Sequence, residues 1–81
     1  MPTIHLWGAL RPAVGGAESI ELNASNIREL FQLLEEQHPK THSFIEDGIA
    51  VSVDGTIYQD NWSQPLPPGS EIYLLPRIAG G

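Results

Sequence analysis

The residues best suited to chemistry stand at the end of the chain, where Arg77-Ile78-Ala79 runs into Gly80-Gly81. Glycine lacks a Cβ, so a terminal pair of them can thread a channel that excludes every other side chain. It also leaves a terminal carboxylate open to attack or activation. A frayed end would present the same two residues. The pair therefore gains meaning only if an ordered strand leads into it.

Elsewhere the residue types offer little reactive chemistry. With no cysteine, the chain has no disulfide framework, thiolate metal site or cysteine nucleophile. Any sulfur it handles must sit on another group. His5, His38 and His42 show no metal-ligand spacing with carboxylates, so structural or solvated roles and no metal site are expected. Glu35-Glu36 and Glu46-Asp47 read as solvated residues of a helix face and a loop, because an acid/base pair needs a cleft to shift its pKa values. Gly15-Gly16 lies outside any phosphate-binding glycine pattern and reads as a hairpin loop.

The elements that would position the terminus follow from periodicity. Thr3 to Gly8 alternates as a first strand, broken by Pro12 and Gly15-Gly16, and Glu18 to Leu22 is a second. Ser25 or Asn26 caps a helix, with Glu29 placed for a capping box. Ile27, Leu30, Phe31 and Leu34 form its apolar stripe, and Pro39 ends it. Lys40 to Asp47 reads as a polar connection anchored by Phe44 and Ile45. Ile49, Val51 and Val53 mark a third strand, and Asp54-Gly55 turns it into a short return over Thr56 to Tyr58. Asn61 to Gly69 is a loop with Trp62 and Leu66 as plugs. Glu71 to Leu75, apolar on both sides over Ile72 to Leu75, is expected at the centre of the sheet. The expectation is a two-layer α+β domain over residues 1–75, a mixed sheet on one main helix in the β-grasp arrangement, with a flexible tail over 76–81.

If Ile4, Leu6, Ile72 and Leu74 face the helix, then Trp7, Tyr73 and Leu75 point outward beside Pro76 and Ile78. An apolar patch continuous with the tail reads as a partner surface, although aromatic residues can also simply cover a sheet.

Size and charge narrow the partners. An 81-residue chain with 41% hydrophobic residues holds one domain and one modest core. A formal net charge of -6 argues against nucleic acid and anionic membrane and favours a partner with a basic surface. No apolar run reaches the roughly 20 residues of a membrane span, and no signal peptide is visible, so a cytoplasmic location is expected.

The turn Gly8-Ala9-Leu10-Arg11 after the first strand and the ending Glu71-Ile72-Tyr73-Leu74-Leu75-Pro76-Arg77-Ile78-Ala79-Gly80-Gly81 resemble the MoaD/ThiS family of ubiquitin-like sulfur carriers. The resemblance covers nearly the whole chain and is nearer the MoaD branch, the small subunits of molybdopterin synthase. Pro12 stands where that branch usually carries an acidic residue, and Arg77 where it often has a second proline.

The resemblance implies a carrier rather than an enzyme, acting as the small subunit of a sulfurtransferase. A ubiquitin-activating-type adenylyltransferase (MoeB/ThiF-like) would use ATP and Mg²⁺ to adenylate Gly81, with no cofactor bound by this chain. A persulfide would then convert the terminus to a thiocarboxylate, and a large synthase subunit (MoaE-like) or another acceptor enzyme would take the sulfur. Gly81 would carry sulfur and Gly80 would pass the channel. Arg77, Ile78 and Ala79 would dock the tail, while Trp7, Tyr73 and Leu75 hold the domain on its partners, with Pro76 in the same partner-binding set. Thiamine, tRNA thiolation, cysteine or secondary-metabolite pathways remain alternative destinations. A ubiquitin-like modifier joined through Gly81 and a plain binding module remain alternative functions. The single lysine, Lys40, disfavours lysine-linked chains of the protein on itself.

Overall fold

A computed structural model describes residues 2–77. Five strands form one mixed sheet: β1 (Thr3–His5), β2 (Ser19–Glu21), β3 (Ile49–Val53), β4 (Thr56–Tyr58) and β5 (Glu71–Pro76). Their spatial order is β2-β1-β5-β3-β4. β5 lies at the centre, parallel to β1 and antiparallel to β3. Burial alternates along it, with Ile72 and Leu74 inside and Glu71 and Tyr73 outside. That placement meets the expectation drawn from its apolar run. Its pairing of Pro76 with Ile49 carries the strand one residue beyond the expected end at Leu75.

The helix α1 (Ile27–Gln37) covers the inner face. Ile27, Leu30, Phe31 and Leu34 are its buried residues, as the stripe requires. Asn26 is the cap: its Oδ1 accepts from the Glu29 N–H at 2.8 Å. Glu29 reaches back in turn, its carboxylate accepting from the Ser25 N–H and hydroxyl. Such a cap is worth about 1 kcal/mol. The core joins this stripe to Ile4, Val51, Ile72 and Leu74 from the sheet, with Leu6, Leu10 and Leu66 buried alongside them.

Three segments differ from the expectation. β1 stops at His5, because a turn closed by Leu10 N–H on the Trp7 carbonyl folds the next residues inward. That turn buries Leu10 completely, and a 3₁₀ helix over Arg11–Val14 follows. The stretch after Pro39 is no simple connection. It holds a 3₁₀ turn and a second short helix, α2 (His42–Asp47), so Glu46 and Asp47 lie on a helix and not in a loop. Phe44 and Ile45 pack against the core from α2, the anchoring role expected of them. Trp62 is a lid more than a plug, 42% exposed and edge-on to Phe31 at 5.4 Å.

The Asp54-Gly55 hairpin forms as read, with φ of 48° and 94° at its two central residues, positive at both as a type I′ turn demands. Asp54 also accepts the Glu71 N–H through Oδ1 at 2.9 Å, tying the hairpin to β5.

Candidate functional site

The outer face of the sheet is graded along the strands. At the end far from the chain terminus, the register sets Glu21 beside Thr3 and Thr3 beside Glu71. The next row outward runs Ser19, His5, Tyr73, Ser52, Ile57 across all five strands. Tyr73 is 48% exposed and stacks on His5, with ring centroids 4.4 Å apart and planes 17° apart. His5 Nε2 lies 2.5 Å from Glu71 Oε2, so the ring is held from both sides. Ile57 is 52% exposed. The last row sets Leu75 beside a buried Ala50, next to the point where the chain leaves the sheet. The face thus passes from carboxylates to apolar groups in the direction of the terminus.

Trp7, Tyr73 and Leu75, assigned to one surface from alternation alone, do line one groove, with His5, Arg11 and Glu18 beside them. Arg11 does not reach out from it freely: its Nε donates to the Leu6 carbonyl at 3.2 Å and braces the turn after β1. Trp7 is the wall between this groove and a second recess, where it meets Phe44, Asp47, Gly48, Pro76 and Arg77. Its ring sits edge-on to Phe44 at 6.0 Å, so it is partly buried and only part of it is available to a partner. Pro76 and Arg77 adjoin Trp7 in that recess. Ile78, Ala79, Gly80 and Gly81 lie outside the described residues.

Arg77, the last charged side chain of the sequence, is paired. The Arg77 guanidinium donates through Nη1 and Nη2 to the two carboxylate oxygens of Asp60, at 3.0 and 3.1 Å. A separate cluster joins the helices. The His42 ring contacts Glu35 of α1 through Nδ1 and Glu46 of α2 through Nε2. The hydrogen bond to Glu35, and then the charge of Glu46, raise the His42 pKa above its ordinary 6.5. Among the described residues no group of three or more His, Asp and Glu side chains is arranged to hold a metal ion.

Sequence reasoning missed Ile57, His5 and Asp60 at this site. Ile57 was recoverable in part. A two-residue turn at Asp54-Gly55 necessarily places it opposite Ser52, on the same face. That Ser52 in turn neighbours Tyr73 depends on the pairing of β3 with β5, with the 17 residues of hairpin and loop from 54 to 70 between them, and no local pattern carries it.

Comparison with known proteins reaches the whole site. A model of the ThiS family matches residues 4–81. No curated protein matches the chain. Solved structures share the fold end to end. A chain of the BexX/CysO complex from Amycolatopsis orientalis is 22% identical with a TM-score of 0.80, and each chain is covered completely. SAMP1 from Haloferax volcanii is 19% identical with a TM-score of 0.75, over 99% of this chain and 98% of that one. A chain from the complex of subunits 1 and 2 of the molybdopterin-converting factor of Helicobacter pylori is 24% identical with a TM-score of 0.70, over 99% of this chain and 97% of that one. These likenesses establish the ubiquitin-like β-grasp fold. No helix among the described residues is long and apolar enough to cross a membrane.

Proposed function

The chain belongs to the ThiS family of ubiquitin-like sulfur carriers, and from that premise we propose that Gly81 carries sulfur as a C-terminal thiocarboxylate for transfer to an acceptor. The observation that carries this reading is the extent of the family match, which runs through the last strand and on to Gly81. The outer face supports it, since its apolar end adjoins the strand that leads to the tail.

In this mechanism the domain supplies no catalytic group. It presents a carboxylate. A carboxylate resists nucleophilic attack, so an adenylyltransferase partner first joins the Gly81 carboxylate to the α-phosphate of ATP, with Mg²⁺, releasing pyrophosphate. A persulfide sulfur then attacks the acyl carbon and AMP leaves. A thiol cleaves the resulting acyl disulfide to free the thiocarboxylate. The protein thus acts as a macromolecular group carrier, comparable with small carrier cofactors.

Each part of the chain has a task in this scheme. Gly80 and Gly81 enter the partner's channel, and Arg77, Ile78 and Ala79 dock the tail. Trp7, Tyr73, Leu75 and Pro76, joined by Ile57, hold the domain on the adenylyltransferase and then on the acceptor enzyme. The absence of cysteine suits a carrier whose acyl terminus becomes electrophilic, because it has no thiol of its own to trap it.

For the acceptor we propose a large synthase subunit acting on the pterin precursor of the molybdenum cofactor. The turn Gly8-Ala9-Leu10-Arg11 favours that branch. The Helicobacter pylori structure shows subunit 1 of a molybdopterin-converting factor in complex with subunit 2, an assembly of the kind proposed.

Intact mass spectrometry tests the reading, on the protein incubated with the adenylyltransferase, ATP and a sulfur donor. Replacement of one oxygen by sulfur, localised to the C-terminal peptide, is the expected product. Glycyl-lysine remnants on other proteins with an unchanged free terminus would replace the carrier reading with that of a modifier.

A further inference from the structure

The residue from which the tail hangs is fastened to the body of the protein by its own side chain. Continuing the β3–β5 register by one residue sets Gly48 opposite Arg77, and continuing the β3–β4 register sets Asp60 opposite Ile49. The Arg77 side chain therefore crosses over Gly48, just ahead of β3, to reach the segment that follows β4. It can cross only because position 48 has no side chain. A Cβ there would lie 2.7 Å from Arg77 Cδ, closer than side chains pack, and Gly48 holds a φ of 103° that other residues rarely adopt. At the end of the crossing the guanidinium meets Asp60 as a fork, with one nitrogen on each carboxylate oxygen at 3.0 and 3.1 Å. A two-point contact between planar groups fixes orientation as well as distance.

We propose that Gly48 and Asp60 are positioning residues for the C-terminal segment, holding Arg77 so that the chain leaves the sheet in one set direction. The inference rests on the carrier reading and deepens it. A tail that must enter a partner's channel loses conformational freedom on docking. Fixing its root in the free protein removes part of that loss beforehand, in the residue whose direction all later ones inherit. Asp60 touches neither the apolar groove nor the recess beside Trp7 and acts through Arg77 alone.

Kinetics of adenylation by the cognate adenylyltransferase with ATP test this, at low ionic strength, on the wild-type chain, Asp60→Asn, Arg77→Gln and the double variant. Both partners are substantially exposed, so the pair is weak, and the expected effect of Asp60→Asn is a KM for the carrier raised roughly two- to fivefold with kcat unchanged. The double variant is expected to match Arg77→Gln, because the two changes break one contact. Asp60→Asn should also lower the ¹H–¹⁵N NOE of the Arg77 Nε–H toward that of a free side chain, a readout independent of any enzyme. A wild-type KM retained in Asp60→Asn, with Arg77→Gln alone impaired, would show Arg77 acting directly on the partner and overturn the positioning role. Failure of the wild-type chain to be adenylated at all would instead overturn the carrier reading, and this inference with it, even if the NOE change were seen.

Discussion

At the scale of single residues, the proposed chemistry separates cleanly from the fold. Gly81 lies beyond the last strand, which ends at Pro76. Gly81→Ala is therefore expected to leave thermal unfolding unchanged while slowing adenylation tenfold or more, equivalent to about 1.4 kcal/mol of lost transition-state binding. An equal rate for Gly81→Ala in a pyrophosphate-exchange assay would remove the argument for a narrow channel. Tyr73 belongs to the face instead. Its ring is half exposed and already stacked on His5, so it meets a partner with few rotamers left to lose. Exposed, pre-ordered aromatic groups of this kind are the common anchors of interfaces. Tyr73→Ala is expected to weaken binding to the adenylyltransferase about tenfold or more by calorimetry, near 1.4 kcal/mol. Ile57→Ala should act in the same sense, since it shares the row. Unaltered binding in both variants would move the partner surface elsewhere.

At the scale of elements, the two helices are joined by a contact that depends on protonation. Both ring nitrogens of His42 face carboxylates, one on α1 and one on α2. Only the imidazolium carries an N–H on each nitrogen and can donate to both. Because the pKa is raised in the folded protein, folding is favoured by proton binding here. The contribution is complete at pH below about 6.5, the unfolded value, and is lost as pH rises through the higher folded value. His42→Gln should therefore melt below the wild type in mildly acidic solution. The difference should close as the pH is raised, as followed by circular dichroism. The cluster is exposed to water, so the effect will be small and weaker in salt. A constant difference in melting temperature across that range would show that the clasp works through packing alone. The same elements explain why α2 escaped sequence reasoning. Its six residues contain less than two turns, too few for an apolar stripe to repeat, and Pro39 just ahead reads as a helix end. What holds α2 is tertiary: Phe44 against Trp7, and both Phe44 and Ile45 against the core.

At the scale of the whole molecule, the outer face carries Glu21 and Glu71 at one end and Trp7 and Leu75 at the other, with Arg11 and Glu18 beside the latter. With a net charge of -6, association with a basic partner surface should be steered electrostatically. Stopped-flow association rates with the adenylyltransferase are expected to fall as salt rises, while dissociation changes less. Rates independent of ionic strength would exclude a basic docking surface. Much of this molecule was legible in the sequence because the signals concerned are local. The capping box at Asn26 and Glu29, the stripe from Ile27 to Leu34, the turn at Asp54-Gly55 and the alternation through Tyr73 each depend on residues within a few positions of one another. The apolar run of β5 matched its central place between β1 and β3, although only Ile72 and Leu74 of it are buried. What the tertiary structure alone decided are the juxtapositions between distant segments: Ile57 in line with Tyr73, Trp7 against Phe44, and Arg77 laid over Gly48 onto Asp60. Each is the product of strand order and register, which are set by how the whole core closes and leave no periodic trace in the chain.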